Sequence, residues 1–164
     1  MIYSSKEFDG VYKLVAVEKE GMIIPKIKVS ENVEKITNPH FKKVYRLIAN
    51  DTNKAIADLI TVFDEEAPSG EIEIFDPEAS WKRKTIDNYY AQELLIPVVL
   101  NGEVIYQTPP MQEIQDYCKG EVKKLWDEVK RFENPHNYYV DLSLKLWNIK
   151  QDLLRKANKQ DKVK

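Results

Sequence analysis

The period of the apolar residues changes at Thr108-Pro109-Pro110, and that change limits the chain to a mixed architecture. Before it, short runs of β-branched and aromatic residues alternate with turn-forming clusters, as in strands. After it, Met111, Ile114, Cys118, Leu125, Val129 and Phe132 recur at helical spacing with Trp126 beside them. The pattern predicts an α+β fold: a β-rich meander or small antiparallel sheet followed by two C-terminal helices. With 164 residues a single hydrophobic core is attainable. The expected organisation is one domain over 1–158, mainly β over 1–108 and mainly helical over 109–158, with a basic tail over 159–164.

Within the β-rich part, Val11–Val17 and Met22–Val29 form a hairpin candidate about Lys19-Glu20-Gly21, with Pro25 favouring an edge. Phe41–Ala49 and Ala55–Phe63 flank the turn residues Asn50–Asn53, so Val11–Phe63 reads as a small antiparallel sheet or meander. In the first of these strands Val44, Arg46 and Ile48 fall on one side, and Phe41, Lys43, Tyr45 and Leu47 on the other. Further strands are predicted over Glu71–Phe75, Trp81–Thr85 and Ala91–Leu100, the last interrupted by Pro97. Asn101-Gly102 marks a two-residue reversal into Val104–Tyr106. The first helix runs from Met111 until Asn134-Pro135 stops it. The second is capped by Asp141, or alternatively Ser143, and buries Leu142, Leu146, Ile149 and Leu153.

Charge excludes a general polyanion binder: 25 basic against 27 acidic residues leave a net charge of -2. Residues 121–164 carry eleven Lys or Arg against seven Asp or Glu, a bias that suits the C-terminal ends of helices and a solvated tail. The single cysteine, Cys118, cannot form an internal disulfide and fits a reducing compartment. No run is apolar enough to span a bilayer, and Met1–Gly10 lacks a secretory core, so the expected location is the cytoplasm.

Few residues carry chemistry. His40 and His136 are far apart, and there is no Cys-x-x-Cys pair, His-Glu-x-x-His helix, glycine-rich nucleotide loop or nucleophile elbow. No catalytic residue and no metal ligand is therefore assigned. Lys26, Lys28 and Ser30 alternate onto one side of a strand, and with Lys35 and Thr37 they offer donors to a phosphate; the competing reading is a solvated strand face. Trp81-Lys82-Arg83-Lys84 joins a flat ring to three cations, which suits either nucleotide or RNA contact or, in preference, an interdomain or intersubunit salt-bridge surface. Asp58 stands in an apolar run and calls for a buried cationic partner, Lys13 or Arg46. His136 is expected to order its loop, and the tyrosines and tryptophans of the latter half to divide between core and interface.

Several ordered words recur along the chain. They are Gly10-Val11-Tyr12-Lys13-Leu14-Val15, Pro25-Lys26-Ile27-Lys28-Val29-Ser30-Glu31-Asn32 and Lys35-Ile36-Thr37-Asn38-Pro39. Lys42–Arg46, Ala55–Ile60, Trp81–Lys84, Asn134-Pro135-His136 and Val140–Ser143 through Leu146-Trp147 continue the series. In this order they resemble the C-terminal region of the bacterial nicotinate phosphoribosyltransferases, of the type II phosphoribosyltransferase family. The resemblance implies an enzyme that makes nicotinate mononucleotide from nicotinate and phosphoribosyl pyrophosphate, with ATP coupling and Mg²⁺, in NAD biosynthesis. It implies that the reactive groups lie in an N-terminal barrel portion, so that this segment is mainly structural and holds no cofactor itself. Lys13, Lys28, Ser30, Lys35 and Thr37 become possible active-site rim or structural residues. The barrel portion is the implied partner, in a homo-oligomer, with neither nucleic acid nor membrane. The alternative is an independent, non-catalytic nucleotide- or protein-binding module. Two positions depart from the family pattern: Asp9-Gly10 stands for Gly-Gly, and His40 stands where a glycine is usual.

Overall fold

The computed structural model describes residues 12–32 and 35–161, and these divide into two compact units. One holds the chain through Phe41 and again from Ile149; the other is Lys42–Asn148.

In the first unit, β1 (Ala16–Lys19) and β2 (Met22–Pro25) pair antiparallel, with Lys19 opposite Met22. Glu20 and Gly21 form the two-residue turn with φ of 53° and 75°, both in the left-handed region that matches strand twist. The hairpin thus forms about the predicted turn, but its strands are displaced from Val11–Val17 and shortened from Met22–Val29. The ladder ends just past Pro25, where the Lys26 amide still donates to Val15 O at 2.8 Å. Val11, with the preceding Asp9-Gly10, lies outside the described residues. A single sheet over Val11–Phe63 does not form, because β1 and β2 make a two-stranded sheet of their own.

The second unit is built on a four-stranded sheet containing β3 (Lys42–Ala49), β4 (Ala55–Val62), β7 (Tyr89–Glu93) and β10 (Val140–Leu142), in the order β10-β4-β3-β7. β4 and β7 run antiparallel to β3, whereas β10 joins parallel to β4, so the sheet is mixed. A register shift at Leu47/Ile48 breaks the expected alternation, and both of these neighbours are fully buried. A two-stranded sheet, β5 (Ile72–Phe75) with β6 (Arg83–Ile86), adds Ile74 and Ile86 to Leu47, Ala57 and Leu59 in the buried cluster. Asp76 turns the chain after β5 by accepting hydrogen bonds from the amides of Glu78 and Ala79, at 2.8 and 3.2 Å.

The predicted strand Ala91–Leu100 is interrupted: β7 ends at Glu93, and Pro97 precedes a small ribbon of β8 (Val99–Leu100) and β9 (Glu103–Val104). The Asn101-Gly102 reversal is as read, with φ of 50° and 84°.

Among the described residues three helices follow, where two were expected. α1 (Met111–Lys124) stops short of Asn134 because Leu125 and Trp126 are extended, and α2 (Asp127–Lys130) is a single turn. A side chain from another element meets this helix end. Lys54 Nζ donates to the carbonyls of Lys123 and Leu125 at 2.8 and 3.1 Å, placing a cation on acceptors that a helix end leaves open. α3 (Leu144–Asp161) begins at Ser143, whose Oγ accepts from the Leu146 amide at 3.2 Å. Ser143 is the cap, while Asp141, the first choice from sequence, is buried within β10. α3 runs into the stretch read as a tail, and residues 162–164 lie outside the described part.

Candidate functional site

Polar side chains converge in each unit. In the first, the structure brings the predicted rim residues into two pairs. Lys13 Nζ donates to the Lys35 carbonyl at 3.1 Å, and the Lys28 amide donates to Thr37 Oγ1 at 3.1 Å. Ser30 is half-buried in the stretch after β2. Two of the five groups are thus used to fasten this loop: the Lys13 ammonium and the Thr37 hydroxyl. Lys28 and Lys35 are exposed. Backbone geometry dominates here, and His40, with φ of 77°, occupies a left-handed position that favours glycine.

In the second unit, the register of three strands sets Gln92, Arg46 and Asp58 side by side on one sheet face. Arg46 grips Asp58 with two bonds, Nε to Oδ1 at 2.9 Å and Nη2 to Oδ2 at 3.0 Å. Its remaining Nη1 donates to Glu121 of α1 at 3.0 Å. Lys124 Nζ then bridges Glu121 at 2.7 Å and Gln92 at 3.0 Å. Tyr138 completes the group, its hydroxyl donating to Asp58 Oδ1 at 2.8 Å while its ring lies 6.0 Å from the guanidinium carbon. Burial, reinforced by the bond to Asp58, holds the Tyr138 proton far above the usual phenol range. The bond to Asp58 likewise raises Arg46.

Two cations face two anions in this cluster, and their donors and acceptors are used on one another. Such a network docks α1 on the sheet and keeps no uncompensated charge for a substrate. The sequence singled out Asp58 and offered Lys13 or Arg46; the structure selects Arg46. Glu121 and Lys124 were missed, because helix–sheet contacts across 75 residues leave no local signal.

Several concavities lie within the same unit. A cleft of about 640 Å³ is lined by Trp126, Glu128, Lys84, Asp87, Asn88 and the loop His136–Tyr139. His136 donates through its backbone to Glu128 O at 2.9 Å, which orders the loop. A smaller cavity of about 90 Å³ is lined by Phe75, Asp76, Tyr139 and Asp141, with Lys82, Arg83 and Lys84 at its wall. Asp141 is only 3% exposed, and burial with Asp76 nearby pushes its carboxyl up to about 6. In the Trp81–Lys84 segment, Trp81 is exposed, and Arg83 pairs with Glu73 and lies over the Phe75 ring. One of the three cations is thereby neutralised within the chain. Among the described residues no group of three or more His, Cys, Asp or Glu side chains is placed to hold a metal ion. Among them, too, no helix is long and apolar enough to cross a membrane.

Comparison with known proteins supplies the context. Residues 41–150 match the family described as the nicotinate phosphoribosyltransferase C-terminal domain. The nicotinate phosphoribosyltransferase of Bacillus subtilis is 35% identical over 156 residues, 94% of this chain and 32% of that protein. The Caenorhabditis elegans and human proteins of the same name are 33% and 29% identical over 84% of the chain, covering 24% and 25% of their own lengths. The crystal structure of human nicotinic acid phosphoribosyltransferase superposes with a TM-score of 0.65 over 72% of this chain and 24% of that one. At 23% identity this likeness shows the fold alone. The chain therefore spans 24% to 32% of the length of these relatives.

Proposed function

Because this chain belongs to the nicotinate phosphoribosyltransferase C-terminal domain family, we propose that it is the architectural part of an enzyme that makes nicotinate mononucleotide from nicotinate and phosphoribosyl pyrophosphate. The remaining polypeptide, corresponding to the barrel portion implied by the resemblance, supplies the reacting groups. One observation carries this reading: the best-formed polar cluster in the chain, around Arg46, is neutral and satisfied internally. Splitting a ribosyl–pyrophosphate bond requires unspent donors aimed at developing negative charge. Arg46 is committed to Asp58 and Glu121, so it is not such a donor.

The donor set does not fit Mg²⁺ either, which prefers six oxygen ligands in near-octahedral array. Asp76 and Asp141 line a cavity whose wall also holds Lys82, Arg83 and Lys84. On this reading the Mg²⁺ and ATP that the resemblance implies belong to the complete enzyme. In the assembled enzyme Lys28, Ser30 and Lys35 stand at the rim, with Lys13 and Thr37 holding their loop in shape. The setting is the cytoplasm and the assembly a homo-oligomer.

Complementation tests the proposal. The full chain is co-expressed with the part of the Bacillus subtilis relative that precedes the matched region, and formation of nicotinate mononucleotide is followed. Turnover is expected with both polypeptides and with neither alone; failure of a folded pair to turn over contradicts it. A second reading, an independent nucleotide-binding module, is favoured by the cleft beneath Trp126. Calorimetric titration of the chain with ATP would support that reading by a saturable heat.

A further inference from the structure

From Leu95 to Gly120 no residue is buried, and all but Pro109 are exposed. The stretch is nevertheless rich in large apolar side chains: Ile96, Val99, Leu100, Val104, Met111 and Tyr117 are each between 56% and 75% exposed. It comprises the β8–β9 ribbon and most of α1. Its two ends are tied down. At the start, the Leu94 amide donates to Val44 O at 2.8 Å. At the finish, Glu121 and Lys124 bind Arg46 and Gln92.

The stretch is an arm anchored at both ends whose apolar side chains the described chain covers only in part. A ribbon of two residue pairs is not stable by itself in water, and a helix of this length draws most of its stability from packing its apolar stripe. Yet α1 buries no residue. Local order without burial is a sign of a surface shaped for an absent neighbour.

The structure assigns Leu95–Tyr117 as the docking arm for the portion of the enzyme that lies outside this chain. This rests on the functional reading given above. The occupant is set by length and chemistry: more than two thirds of the Bacillus subtilis and Caenorhabditis elegans relatives falls outside the region matched here. The ribbon carries one charge, Glu103, between Leu94 and Tyr106, so the surface it meets is apolar and charge-poor.

The test uses the full chain, affinity-tagged and co-expressed with the preceding part of the Bacillus subtilis relative. The variant V99S/V104S changes two exposed, directly opposed positions of the ribbon, so its own melting temperature is expected to stay within a few degrees of the parent's. Co-purified partner should fall at least tenfold in the variant. Amide exchange over 95–117 should slow at least tenfold in the parent complex relative to the chain alone. Equal recovery by parent and variant, or unchanged exchange in the complex, overturns the docking assignment and leaves the functional reading standing. A parent chain that recovers no partner overturns both. If light scattering shows a dimer of the parent and a monomer of the variant, the occupant is a second copy and the assignment is overturned.

Discussion

Asp58 sits between Ala57 and Leu59 in a strand whose neighbours are buried, where a lone carboxylate would be strongly penalised. Arg46 removes the penalty from the opposed position of β3. Arg46→Met should cost about 3 kcal/mol in urea unfolding, because it strands a carboxylate with only Tyr138 beside it. The double variant R46M/D58L should recover more than half of that loss, since an apolar pair replaces an ionic one at modest cost. A double variant as unstable as R46M would contradict this account. Asp141 gives a prediction of the opposite kind. Its carboxyl titrates near 6 in the fold against about 4 when free, so the protonated form is the stabilising one. That contribution is complete below about pH 4 and is lost as pH rises through 6. Relative to Asp141→Asn, the parent should lose about 1–2 kcal/mol between pH 4 and pH 7, allowing for solvent screening. Parallel pH–stability curves for the two proteins would remove the basis for it. The sequence exposed Asp58 because a charge in an apolar run stands out. Asp141 was hidden because an acidic residue two positions before a helix looks like a cap.

At the scale of elements, boundaries were decided by side-chain bonds to the backbone. Ser143→Ala should cost about 1 kcal/mol by removing the N-terminal cap of α3, whereas the sequence alone ranked Asp141 above it. Lys54→Met should loosen the end of α1, read as faster amide exchange over Lys123–Trp126 with the sheet unchanged. Unchanged exchange there would show that Lys54 does not set the helix end. His40→Val should destabilise the first unit by about 1–2 kcal/mol, since a β-branched residue is strained at a φ of 77°. The turns at Glu20-Gly21 and Asn101-Gly102, the strands from Lys42 to Val62 and the existence of helices after Pro110 were all legible. Each depends on residues near in sequence. The parallel addition of β10 to β4 was not, because three residues between a loop and a helix carry no period of their own. Nor was the break at Leu125, which depends on a lysine 71 residues away.

For the molecule as a whole, composition narrowed the class and the ordered words pointed to the family, to which residues 41–150 belong. What no local pattern revealed was that the Arg46 cluster would be satisfied within the fold. That closure, together with the exposed Leu95–Gly120 stretch, is what the proposed architectural role rests on. The most direct test is transfer itself. The purified 164-residue chain is incubated with labelled phosphoribosyl pyrophosphate, nicotinate, ATP and Mg²⁺, and labelled mononucleotide is measured against a protein-free control. The account predicts no product above that control; reproducible turnover by the chain alone would contradict it.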